Sequence, residues 1–137
     1  MQVNRLAVIG TGLIGASVAL AARQANAAAE VIGFDPDPGA LEAACARGAL
    51  DVPVKSLEEA VAGAELAVVA APVAQMAAQV RAALDASAEE TTVTDVGSTK
   101  ASACAAAAGS TRFVGGHPVC GSEARGPEHA TADLFEG

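Results

Sequence analysis

Val8-Ile9-Gly10-Thr11-Gly12-Leu13-Ile14-Gly15 is the stretch on which the reading of this 137-residue chain turns. A short apolar run, Leu6 to Ile9, leads into it, and a run of small residues, Ala16 to Ala22, follows. The sequence reads as a strand, a tight glycine turn and a helix start, with the spacing G-x-G-x-x-G. Gly10 has no Cβ and lets the chain turn sharply off the strand. Gly12 lets backbone approach a pyrophosphate, and Gly15 lets the helix pack tightly on the strand. The first-turn N–H groups of that helix lack internal partners and the dipole there is positive, so an anion sits well at this point. Thr11, Leu13 and Ile14 complete the loop and join the three glycines as candidate cofactor contacts.

With 14 glycines in the chain such a spacing can arise by chance, so its context matters. Twenty residues past Gly15, Asp35 ends a second strand-like run, Val31-Ile32-Gly33-Phe34. A carboxylate there can accept hydrogen bonds from the adenosine ribose hydroxyls. Asp35 is followed by Pro36 and Asp37, with no Arg or Lys nearby, so a 2′-phosphate would meet repulsion. NAD is therefore expected over NADP.

The length suits one domain. Apolar residues make up 52% of the chain, but many are alanine, and Trp and Tyr are absent, so the core must be built from small side chains. The formal charge of −8 argues against a nucleic-acid or anionic-membrane partner, which would call for basic patches. Three cysteines (Cys45, Cys104, Cys120) form neither metal-ligand spacing nor a disulfide framework, and a reducing cytoplasm is the default. Leu6 to Ala22 behind Arg5 imitates a signal peptide, but the glycine spacing and Asp35 fit the soluble reading better. No stretch has the length and hydrophobicity of a membrane span.

Along the chain the expected elements alternate. Strands fall at 5–10, 30–35, 50–54, 65–71, 91–96 and 112–114; helices fall at 13–28, from Asp37-Pro38 to a cap near Gly48, from an N-cap at Ser56 to Gly63, and at 74–86 and 99–108. Ser56 and Glu59 have capping-box spacing. Met76, Val80 and Leu84, four apart, mark a buried helix face. Alternation of this kind is the signature of an α/β, doubly wound, mostly parallel sheet of the Rossmann type. Right-handed crossovers put every strand's C-terminal end on one edge, where ligands bind. The glycine loop, Ala71-Pro72-Val73 and Gly97-Ser98-Thr99 all fall on that edge, which adds Ala71, Pro72, Gly97 and Ser98 to the candidate cofactor contacts.

Beyond the last strand, Gly115-Gly116-His117-Pro118-Val119-Cys120-Gly121-Ser122-Glu123 packs three glycines around one histidine. The glycines suggest special φ/ψ needs or close contact with a ligand. Histidine is the residue type suited to proton transfer near neutral pH, and His117 could take a proton from a hydroxyl while the carbon beneath gives hydride to nicotinamide. Ser98 could hydrogen-bond both His117 and that hydroxyl. The residues alone also allow a structural or solvated His117, and an N-capping role for Ser98. Glu123 reads as a surface charge or a helix-start acid, and His129 as a surface residue in a polar helical stretch.

Gly12-Leu13-Ile14-Gly15-Ala16-Ser17, Asp95-Val96-Gly97-Ser98-Thr99-Lys100, Gly115-Gly116-His117-Pro118 with Gly121-Ser122-Glu123, and Leu134-Phe135-Glu136-Gly137 resemble the prephenate dehydrogenase family, which includes arogenate and cyclohexadienyl dehydrogenases of tyrosine biosynthesis. The resemblance covers nearly the whole chain, with its motifs in the family's order. It implies NAD⁺-dependent oxidation of prephenate at the ring carbon bearing the hydroxyl, with loss of carbon dioxide and formation of 4-hydroxyphenylpyruvate. It implies that His117 accepts the hydroxyl proton, that Ser98 orients His117 and the hydroxyl, and that Ser122, with Glu123 beside it, lies near substrate. It also implies a second, all-helical domain that supplies a substrate-carboxylate arginine and most of a homodimer interface. Residues 1–137 are on this expectation the dinucleotide-binding half, cytoplasmic, acting on a small-molecule substrate. Other β-hydroxyacid dehydrogenases, imine reductases and a non-catalytic NAD-sensing module share such a half.

The charge around Asp35 gives a direct test: in equilibrium binding the chain should hold NAD⁺ more tightly than NADP⁺, and tighter NADP⁺ binding would overturn the argument.

Overall fold

The first strand, β1 (Val3–Ile9), sets the layers because its alternate residues enter different cores. Ala7 and Ile9 join one buried cluster, and Leu6 and Val8 join the other. All four are nearly inaccessible, as expected of a central strand in a sheet covered on both faces. The structure is a computed structural model that describes residues 2–120 and 123–136.

The other strands are β2 (Ala28–Phe34), β3 (Val52–Pro53), β4 (Leu66–Val69), β5 (Thr92–Asp95) and β6 (Phe113–Val114). They form one sheet in the order β3-β2-β1-β4-β5-β6, and every pairing is parallel. The direction of winding reverses between β1 and β4, so a crevice opens there at the C-terminal ends of the strands. The helices are α1 (Leu13–Gln24), α2 (Pro38–Ala46), α3 (Leu57–Val61), α4 (Val73–Ala86) and α5 (Ala101–Ala106). Residues of α3, α4 and α5 pack on the Ala7/Ile9 face, while α1 and α2 pack on the Leu6/Val8 face. The doubly wound fold expected from the alternation is the fold observed. Among the described residues no helix is long and apolar enough to cross a membrane.

The differences lie at element ends, and each has a local cause. Helix α1 stops at Gln24, short of the expected 28, because Asn26 takes a left-handed φ of 52°. Asn26 N–H then donates to Arg23 C=O and Ala27 N–H to Ala22 C=O, a Schellman closure that asparagine tolerates. Gly48 closes α2 in the same way, as its sequence position suggested. Asp37 caps α2 by accepting from Gly39 N–H, with Pro38 in the first turn. Ser56 accepts from Glu59 N–H, but the Glu59 carboxylate reaches Lys55 N–H rather than Ser56, so the capping box closes one residue early. Helix α5 begins only at Ala101, which leaves Ser98 and Thr99 in an open loop and frees Ser98 from any capping role. His129 lies in a short 3-10 turn, Pro127–His129, and is exposed.

Two glycines hold the crevice together. Gly10 has φ +90°, and a Cβ on it would lie 2.6 Å from Ala70 C=O at the end of β4. A Cβ on Gly15 would lie 1.8 Å from Gly10 C=O. Gly15→Ala should therefore cost about 3 kcal/mol, the upper part of the range for overpacking, because backbone has to move. Denaturant unfolding checks this, and an unchanged midpoint would contradict the packing argument.

Candidate functional site

The crevice at the reversal point holds a cavity of about 750 Å³. Gly10, Gly12, Leu13 and Ile14 line it from the glycine loop, Asp35 from the end of β2, Ala71 and Pro72 from the end of β4, Gly97 and Ser98 from the end of β5, and His117 from the loop after β6. Five separate chain segments thus bring most of the expected cofactor and catalytic residues to one place.

Thr11 and Gly15 stand behind the wall rather than in it. Thr11 is fully buried, and its N–H donates to Asp35 Oδ2 at 2.7 Å, with its hydroxyl 3.3 Å from the same oxygen. Asp37 N–H donates to Asp35 Oδ1 at 2.9 Å. An ionised carboxylate offers about four acceptor directions, so Asp35 can fix the glycine loop and still receive a ribose hydroxyl. Glu123 is exposed and does not line the cavity. Ser122 lies outside the described residues.

The residues fit a dinucleotide on three counts. Helix α1 has no side-chain cap and no acidic residue in its first turn. Its first backbone bond runs from Ala16 N–H to Gly12 C=O, so the N–H groups of Leu13, Ile14 and Gly15 have no partner inside the helix. A Cβ on Gly12 would meet nothing within 4 Å, so the space beside its Cα is open to a phosphate. Finally, Gln79 on α4 lines the cavity, and its Oε1 is a buried oxygen with no hydrogen-bond partner, a cost normally relieved by a bound donor. Gln79 was missed by sequence reasoning, although it stands four residues after Gln75 and so on the same helix face.

The glycines around His117 serve a purpose the sequence left open. Gly115 and Gly116 are not in left-handed conformations. A Cβ on Gly116 would lie 2.5 Å from Asp95 C=O, and one on Gly115 would lie 3.2 Å from Lys100 Cδ. They let the histidine loop lie directly against the end of β5. Asp95, fully buried, accepts from Gly97 N–H at 2.9 Å and from Gly116 N–H at 3.2 Å, and pairs with Lys100. His117 and Ser98, both exposed toward the cavity, follow directly after these two tethered glycines.

The sequence pattern of the prephenate dehydrogenase nucleotide-binding domain matches residues 18–137. A prephenate dehydrogenase of Bacillus subtilis is 34% identical over 138 aligned residues, covering 97% of this chain and 37% of that protein. The chain belongs to the prephenate dehydrogenase family.

Within that family, the crystal structure of prephenate dehydrogenase from Aquifex aeolicus with hydroxyphenyl propionate and NAD⁺ superposes with a TM-score of 0.88 at 26% identity, covering all of this chain and 49% of that one. Synechocystis arogenate dehydrogenase superposes with a TM-score of 0.82 at 27% identity, over 96% of this chain and 46% of that one. The chain therefore spans less than half the length of these relatives. The glycine loop precedes the matched residues 18–137, so its role rests on the fold and on the geometry above.

Gly12 and Gly15 separate binding from folding. Gly12→Ala should leave the thermal midpoint unchanged, since its Cβ meets nothing, yet weaken nucleotide binding by about tenfold or more by filling the phosphate space, a loss near 1.4 kcal/mol. Unaltered affinity in calorimetric titration would show that no phosphate comes close to Gly12.

Proposed function

We propose that this chain is the NAD⁺-holding half of an enzyme that oxidises and decarboxylates prephenate to 4-hydroxyphenylpyruvate. The observation that carries the reading is the meeting of Ser98 and His117 with the glycine loop around one cavity. The N-terminal amides of α1 bind the pyrophosphate, Asp35 receives the adenosine ribose, and Ala71 and Pro72 border the path between the two ends. When bound, NAD⁺ supplies the hydride acceptor. His117 takes the hydroxyl proton as the carbon beneath it is oxidised, and Ser98 orients both imidazole and hydroxyl. Loss of carbon dioxide makes the ring aromatic and drives the step, so the protein's main task is alignment.

Substrate contacts from Ser122 and Glu123, a following helical domain that contributes a carboxylate-binding arginine, a homodimer through that domain, and a cytoplasmic setting complete the proposal. The likeness to an arogenate dehydrogenase supports arogenate as the second reading, since that substrate carries the same ring hydroxyl and carboxylate.

The chain alone should bind NAD⁺ and turn over prephenate poorly. Joined to the region that follows the matched segment in the Bacillus subtilis relative, it should form NADH from prephenate, and His117→Asn should lower kcat about 10³-fold with NAD⁺ affinity retained. Turnover undiminished by His117→Asn would remove the imidazole from the chemistry, and a joined protein that binds NAD⁺ but turns over neither prephenate nor arogenate would support a non-catalytic NAD module. Preference for arogenate would favour the second reading, and robust turnover by the chain alone would refute the need for a second domain.

A further inference from the structure

Ser98 and His117 sit on two different loops, and nothing in a strand or helix fixes their spacing. Ser98 follows β5; His117 follows β6. Both loops converge on one buried carboxylate. Asp95 Oδ2 accepts from Gly97 N–H at 2.9 Å, and Asp95 Oδ1 accepts from Gly116 N–H at 3.2 Å. Lys100 completes the arrangement. Its Nζ donates to Asp95 Oδ2 and also to Gly116 C=O, so it bridges the strand end and the histidine loop. The Asp95 side chain is wholly inaccessible, whereas that of Lys100 is 31% exposed. Each oxygen of one carboxylate thus tethers the residue that precedes a candidate catalytic side chain.

We propose that Asp95 and Lys100 are positioning residues that clamp the Gly97-Ser98 loop to the Gly116-His117 loop and so set the spacing of the serine hydroxyl and the imidazole. This rests on the dehydrogenase reading for its catalytic consequence but not for the clamp itself. Charge and geometry both favour it. A buried carboxylate needs compensation from donors and a cation, and among the described residues Asp95 draws them from these two loops and from Lys100. Gly116 can approach only because it lacks a Cβ. The arrangement is stiff because charge-assisted bonds in a low dielectric are strong. A catalytic pair held this way is sensitive to small displacements, and a misplacement near 1 Å can cost about 10²-fold in rate.

Two variants perturb the clamp by independent routes. Lys100→Met removes the cation from a partly exposed position and leaves both N–H donors on Asp95. Gly116→Ala keeps every charge and pushes the histidine loop off β5. The first measurement is amide hydrogen exchange of the 137-residue chain with saturating NAD⁺. Both variants should speed exchange at Ser98 and His117 together, with β1 and α1 unaffected, and Lys100→Arg should restore protection. Faster exchange in only one of the two loops, or in neither, overturns the clamp. The second is the prephenate assay with the joined protein. Lys100→Met should lower kcat by about 10²-fold and change the KM for NAD⁺ by less than about threefold, with partial recovery in Lys100→Arg. If kcat is unchanged while both loops loosen, the clamp exists without catalytic consequence and the positioning role is overturned. If the unsubstituted joined protein oxidises no hydroxy acid, the dehydrogenase reading fails and exchange alone decides the clamp.

Discussion

The close approach of Gly15 to Gly10 is the constraint from which the rest follows. With hydrogen in place of Cβ, α1 can start almost against the end of β1, and Gly10 can pass under Ala70 at the end of β4. That contact puts the unpaired amides of α1 at the reversal point of the sheet, where the crevice opens. Were α1 a methyl group further away, its dipole would still point at the crevice, but its N–H groups would be too distant to donate to a phosphate. The alanine-rich core serves the same end. Ala7, Ala16, Ala19, Ala67 and Ala103 are wholly buried, and side chains this small let helices lie near the sheet on both faces.

Two aspartates at strand ends organise the loops above this frame. Asp35 follows β2 and holds Thr11, and with it the glycine loop. Asp95 ends β5 and holds Gly97, Gly116 and Lys100. On the proposed reading, one sits toward the ribose end of the cavity and the other toward the redox end. Each uses a carboxylate's capacity for several hydrogen bonds to tie down backbone that has no regular secondary structure.

Much of this could be read from residue order. The glycine spacing, the continuous apolar run of β4 and the β-branched β5 dictated a parallel sheet, and the Asp37, Ser56 and Gly48 caps fell where side-chain chemistry puts them. The early end of α1 escaped notice because a left-handed Asn26 amid alanines leaves no mark on the apolar pattern. The cavity wall was partly hidden for a different reason. Thr11 and Gly15 belong to the right motif, but whether a loop residue faces ligand or core depends on backbone direction, which spacing does not encode. The tasks of Gly115, Gly116 and Lys100 were illegible because they depend on contacts between β5 and a loop some 20 residues later. Long-range pairing of that sort emerges only from the fold.

The central claim is that a serine and a histidine from separate loops meet the redox end of a dinucleotide whose phosphates rest on α1. A crystal structure of the chain with NAD⁺ bound tests it most directly. The account predicts pyrophosphate oxygens within hydrogen-bond distance of the Leu13 and Ile14 amides, and a nicotinamide ring lying beneath Ser98 and His117. A nicotinamide directed toward Pro36 and Ala40, or phosphates away from α1, would contradict it.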